Sequence, residues 1–322
     1  MSKKIRIFAN YFSESLNMVH KLYGYIAVFF SMILWGISFV WTKELLEAHF
    51  PVIMIVTFRL IIAASLMLLV FSLTHSLEKV KKKDISTFFL LAFFEPFLYF
   101  IGENFSMQFV EASFAAIVIG VIPVVVPFAL FIFNKEKVHW EIIFGVMLSI
   151  VGIAFMSLGK SFSFNVDIRG VLLLVLAVLA AVGYSVVLSR LLGSYGPITI
   201  TTYQTLIAIL YYLPLFFIFD FSSLATLNWS FKAVSDIVLL AVLCSSGAFI
   251  LYNYAGKKLG VAKSSVFTNA IPLVTIVFAI FVGQETLCAN KVIGMAIVIG
   301  GVMFSQFGLK TRQRFKQNAK AK

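Results

Sequence analysis

Glu95, Tyr99 and Glu103 follow one another at intervals of four residues. In a straight helix that spacing puts all three side chains on one face, with Asn104 beside it. The segment that carries them, FFEPFLYFIGENF (93–105), is otherwise apolar and aromatic. Two carboxylates and a phenol in such surroundings can hold a cationic group or pass a proton. The alternative is structural: a carboxylate paired with Arg59, or, for Glu103 near the end of the segment, simple access to water. Arg59 itself lies inside a long apolar stretch, where a guanidinium requires a partner. Pairing with Glu95 or Glu103 is expected ahead of direct contact with a substrate. Pro96 removes a backbone donor next to Glu95, and a kink is expected there.

A second group of residues could line the same space. Pro123, Pro127 and Pro272 interrupt helical hydrogen-bond ladders, and the freed carbonyls can face a cavity. Asn269 stands one turn before Pro272. Asn104 and Asn253 can hydrogen-bond a ligand or simply join two helices. Trp35, Tyr99 and Tyr184 can stack on a planar ligand or fill gaps between helices, and Ser38 is placed with them as a candidate lining residue.

Signals for an enzyme are weak. His20, His49, His75 and His139 lie near helix ends or in loops and none forms H-E-x-x-H, so no metal or other cofactor is expected. The GKS at 159–161 fails the phosphate-loop pattern, because Ala154 stands where its first glycine should be. Cys244 and Cys288 make no disulfide framework.

These residues must be positioned by membrane helices. Of 322 residues, 61% are hydrophobic and 12% charged, with mean hydropathy +1.00; soluble domains carry about 25% charged residues. Crossing the hydrocarbon takes about 20 apolar residues as a helix. Ten stretches qualify: 22–42, 51–73, 85–106, 112–133, 140–158, 170–189, 198–219, 234–256, 264–283 and 292–309. A β-barrel would alternate apolar and polar residues, and runs such as VLLLVLAVLAAV (171–182) do not. If both termini face the cytoplasm, the inner segments hold 20 of the 26 Lys and Arg residues, which is the bias expected of cytoplasmic loops. The net charge of +12 is mostly this bias. The basic tail 310–322 therefore suits anionic lipid headgroups rather than nucleic acid. The basic segment 1–21 leads into a long apolar helix without an A-x-A-like cleavage site, and is read as preceding a retained first helix.

The two halves of the chain repeat one another. FIGENFSMQFVEASFAAIVIGVIPVVVPFALFIFNKEK (100–137) aligns without gaps on FILYNYAGKKLGVAKSSVFTNAIPLVTIVFAIFVGQET (249–286), 149 positions later. The alignment pairs Asn104 with Asn253, Pro123 with Pro272 and Glu136 with Glu285. Gly145, Gly152 and Gly159 likewise meet Gly294, Gly301 and Gly308, giving a small face on which another helix can pack closely. Upstream, ISFVWTK (37–43) echoes YSVVLSR (184–190). Each half holds five spans, an odd number, so the second enters the membrane inverted, as in many secondary transporters.

The stretches ILWGISFVWTK, PVIMIVTFRLIIAASL, VIPVVVPFALFIFNKEKVHWEIIFGVMLSIVG and AIPLVTIVFAIFVGQETLCANKVIGMAIVIGG resemble the EamA family of the drug/metabolite transporter superfamily, over residues 22–309. The resemblance implies import or export of small metabolites through a central cavity walled by spans one, three, four, six, eight and nine. It also implies an Arg at the place of Arg59 in many members, whereas Glu95 and Glu103 are not general family features.

The expected protein is all-helical and integral to the inner or plasma membrane, with both termini cytoplasmic and ten transmembrane helices forming two inverted five-helix repeats. The N-terminal segment (1–21), first repeat (22–158), linker (159–169), second repeat (170–309) and basic tail (310–322) follow in order. It is expected to move a small organic metabolite, export being favoured over uptake, with the lipid bilayer as its surroundings and a homodimer left open. A membrane-embedded enzyme or sensor is the alternative.

Overall fold

The computed structural model of the protein describes residues 3–134, 140–157 and 167–286, and from 289 to 304 all but 291, 298 and 302. Glu136, Gly159, Gly308, Cys288, the GKS motif and the basic tail lie outside the described residues. Every regular element among those residues is helical. Seven helices are long and apolar enough to cross a membrane: Lys21–Glu47, Val52–Leu73, Lys82–Ser106, Ile168–Leu191, Pro197–Ala225, Phe231–Leu259 and Val261–Phe281. The expected stretch 112–133 is instead two helices, α5 (Ala112–Ile119) and α6 (Ile122–Asn134). The stretch 140–158 is the 18-residue helix α7 (Trp140–Ser157), and 292–309 is described only in part.

Local chemistry explains where the helices begin and turn. In α8 (Ile168–Leu191) the N-cap is Asp167, whose carboxylate accepts the Arg169 amide at 2.8 Å and also takes its guanidinium. Pro197 sits at the start of α9 (Pro197–Leu215), where its missing N–H costs nothing. The Asp220 carboxylate reaches from the end of that same span to accept the Met54 amide at 2.8 Å, satisfying a free donor at the start of α2 (Val52–Leu73). Gly260 joins α11 (Phe249–Leu259) to α12 (Val261–Ser265) at φ +91°, a conformation that a side chain would make costly.

The cap at Asp167 yields a local prediction. Its hydrogen bond to the Arg169 side chain holds the carboxyl below its usual range. The cap therefore persists above the ordinary carboxylate pKa and is lost as pH falls through the depressed one. Asp167→Ala at neutral pH, or strong acid with the native chain, should speed deuterium exchange at the amides of residues 169–171. The rest of α8 should stay protected.

Helices of the two halves interleave rather than forming two separate bundles. The first helix, α1 (Lys3–Glu47), packs on α11 and α13 (Ile271–Phe281); α8 packs on α4 (Tyr99–Ser106), α5 and α6. Small residues permit these approaches. Gly24 on α1 lies against Lys258 and Leu259, and Gly170 on α8 lies against Phe109 and Val110. Each of the latter two neighbours stands 149 positions before one of the former. Gly301 approaches the Gly145 carbonyl and Leu148, as the small-residue faces led one to expect.

Candidate functional site

The expected span 85–106 breaks in the middle, at the place where Pro96 was expected to kink it. Regular helix runs through α3 (Ile85–Ala92), opens into a wide turn over Phe93–Leu98 and resumes in α4. Glu95 has extended backbone angles, φ −146° and ψ 123°. Pro96 accounts for this, since a proline ring crowds the preceding residue out of the helical region and supplies no donor of its own. A second wide turn spans Leu240–Ala248 in the eighth expected span, with no proline to announce it.

The first turn brings Glu95 to a central cavity of about 40 Å³, more than the ~10–15 Å³ that one water needs. Seven of the sequence-derived candidates line it: Trp35, Ser38, Arg59, Glu95, Tyr99, Glu103 and Tyr184. Glu103 is held on two sides, its carboxylate accepting from the Tyr99 hydroxyl at 3.0 Å and the Asn104 amide at 3.3 Å. Glu95 is 6% exposed and has neither a hydrogen-bond nor an ion-pair partner among the described residues. One carboxylate is engaged and the other is free.

The expected ion pair of Arg59 with an acid does not form. Its Nε donates to Ser245 Oγ at 2.9 Å, and the guanidinium carbon sits 4.3 Å from the Phe100 ring centre. Stacking on an aromatic face and a single hydroxyl satisfy part of the group. Glu103 remains within its electrostatic reach without touching it.

Asn104, Asn253, Asn269, Pro123 and Pro272 lie outside the cavity lining, and the side chain of Pro127 is outside the described ones. Asn253 joins three helices: its oxygen accepts from the Tyr184 hydroxyl at 3.0 Å and its amide donates to Thr201 Oγ1 at 2.9 Å. Asn104 instead bonds the Phe100 carbonyl of its own helix and Glu103, so the two asparagines have different partners. Asn269 donates to the Val266 carbonyl. Pro123 and Pro272 are buried in the wall, but their neighbours Ile122 and Ile271 do face the cavity.

Sequence reasoning missed the aromatic floor of this space. Phe100, Phe249 and Tyr252 line it, and Trp35 packs against both Phe249 and Tyr252 with ring centres 5.0 Å apart. The signal that could have found them is the repeat itself. Phe249 is the counterpart of Phe100, Tyr252 of Glu103, Thr268 of Ile119 and Ile271 of Ile122, all at the offset of 149, and all eight residues line the cavity.

Hydrogen bonds tie the helices together near both sets of helix ends. On one side, Lys43 donates to the Met107 carbonyl at 2.7 Å, Gln284 to the Val40 carbonyl at 3.1 Å, and Ser113 to the Glu285 carboxylate. On the other, the Tyr195 hydroxyl donates to Asp84 at 2.7 Å while its carbonyl accepts from Lys257 at 3.0 Å. Glu78 adds a bond from the Gly196 amide at 2.9 Å.

Comparison with known proteins places this geometry in context. The profile of the EamA-like transporter family matches residues 22–158 and again 168–307. An uncharacterized transporter of Archaeoglobus fulgidus is 25% identical over 83% of this chain and 93% of its own length. The uncharacterized transporter YetK of Bacillus subtilis is 24% identical over 88% of this chain and 87% of its own. A solved crystal structure shares the fold with a TM-score of 0.64 over 86% of this chain and 98% of its own, at 14% identity.

Proposed function

The chain belongs to the EamA-like transporter family, and from that premise we propose that it is a secondary transporter carrying a small organic metabolite through the central cavity by alternating access. The observation that carries this reading is the make-up of the cavity wall. Pairs of lining residues at one constant offset come from the two halves of the chain, as Phe100 with Phe249 and Ile122 with Ile271. Inverted repeats with the binding site at their interface would produce such a wall, and rocking one repeat against the other would open it to alternate sides. The matched surroundings of Gly24 and Gly170, and the wide turns at Phe93–Leu98 and Leu240–Ala248, support the same relation. Ten spans follow if α5 and α6 together make one crossing, with α7 and the stretch from Val292 as two more.

The protein is assigned to the plasma membrane with both termini cytoplasmic, and export is favoured. In this orientation Lys82 is cytoplasmic, and Lys82→Cys in intact cells should resist an impermeant thiol reagent until the membrane is permeabilised. Labelling from outside would overturn the orientation. Lys43 would then latch the outer end. Lys43→Met should make a Ser38→Cys in the cavity react several-fold faster with the same reagent added outside.

The transport reading itself is tested in proteoliposomes loaded with a cell metabolite extract and followed by mass spectrometry. One compound class should exchange faster than from protein-free vesicles. Indistinguishable profiles would end the proposal.

A further inference from the structure

We propose that the cavity takes a monovalent organic cation, an amine or quaternary ammonium on an apolar or aromatic body, with Glu95 as its counter-ion and the surrounding rings as its cage. This rests on the transport reading and names the substrate class for that site.

With both acids ionised, the charges of the wall do not balance. Two carboxylates, Glu95 and Glu103, face one guanidinium, Arg59. Glu103 is already served by Tyr99 and Asn104 and lies in the field of Arg59. Arg59 is itself engaged by Ser245 and the face of Phe100. Glu95, more than nine-tenths buried, is left with no partner among the described residues. An ionised carboxylate at that depth is costly unless a cation joins it.

The two halves contribute opposite characters. All three charged groups belong to the first half, while the counterparts of Glu95 and Glu103 in the second are Cys244 and Tyr252. Tyr184 and Tyr252 lie within electrostatic reach of Glu95, and the Tyr252 hydroxyl has no hydrogen-bond partner among the described residues. Trp35 closes against Tyr252 and Phe249. Aromatic rings and a free carboxylate lining one cavity favour a cation twice over, by ring quadrupole and by charge. With Glu95 ionised, a neutral ligand would leave it uncompensated, and an anion would add a further negative charge beside it. A proton on Glu95 would also restore balance, in a setting whose other titratable groups are Glu103, Tyr99, Tyr184, Tyr252 and Arg59.

The test uses the full chain in lipid nanodiscs and amines from methylamine to phenethylamine, each matched with the alcohol and the carboxylate of the same skeleton. At neutral pH at least one amine should bind at least ten-fold more tightly than its alcohol and carboxylate. Glu95→Gln should weaken that binding at least ten-fold, and Glu95→Asp should recover part of it. Equal binding of amine and alcohol, unchanged affinity in Glu95→Gln, or no binding by any amine (a site for a proton alone) would overturn the proposal. Its failure is separable from that of the transport reading. If a neutral or anionic metabolite exchanges in the proteoliposomes and Glu95→Gln exchanges it equally, transport stands and the cation site falls. If no compound exchanges while an amine binds in a Glu95-dependent way, the reverse holds.

Discussion

Gly102→Ala should strip the protein of much of its stability and, with it, of transport. A methyl group there would drive into the Leu173 carbonyl and come within 2.8 Å of the Ala177 nitrogen, both backbone atoms of α8. A side chain could rotate away; a helix backbone can only retreat. Overpacking typically costs about 1–3 kcal/mol and occasionally more, and an obstruction by backbone places this substitution at the upper end. The damage would also reach the cavity, because α4 brings Tyr99 and Glu103 to it and α8 brings Tyr184 and Ser185. The control is Gly300→Ala, where an added methyl would meet nothing within 4 Å. Thermal unfolding in detergent should separate the two clearly. Equal midpoints would mean that α4 and α8 do not approach as closely as described.

Arg59→Met should be the second large effect, and its partner substitution should reverse much of it. Removing one member of a buried charge arrangement costs about 3–5 kcal/mol when the other is left uncompensated. Arg59 is 2% exposed, and the hydrogen bond to Ser245 and the stacking on Phe100 would vanish with it. Because Arg59 acts on Glu103 through space rather than by contact, about 3 kcal/mol is the expected loss, near the lower bound. In the double variant Arg59→Met/Glu103→Gln the carboxylate that Arg59 offset is gone as well, and most of the loss should return. A coupling of about 1 kcal/mol or more in the double-mutant cycle is expected. Strict additivity would show that Glu103 does not depend on Arg59.

How far this arrangement was legible in the chain follows from the range of each interaction. Membrane residence is a property of composition. The break at Glu95 was readable because the constraint that Pro96 places on it acts across one peptide bond. The equal turn at Leu240–Ala248 carries no proline, and its opening shows only where Cys244 and Ser245 turn toward Trp35 and Arg59. Arg59 illustrates the same limit from the other side. A buried guanidinium had to find partners, and the acids were the obvious choice from charge alone. Packing delivered Ser245 instead, 186 residues away.

The candidate site divides in the same way. Spacing placed Glu95, Tyr99 and Glu103 on one wall, and the kink did not separate them, because the helix resumes at Tyr99. Asn253 and Asn104 matched in the repeat yet took different partners, since a side-chain amide bonds whatever its neighbouring helices present. By itself the sequence determined a membrane-embedded helical chain with a repeated plan, and which of its residues carry charge. The tertiary structure alone decided which charge was left over. Hydrogen bonds from Tyr99 and Asn104 engage Glu103, none reaches Glu95 among the described residues, and that difference depends on how helices distant in sequence come together.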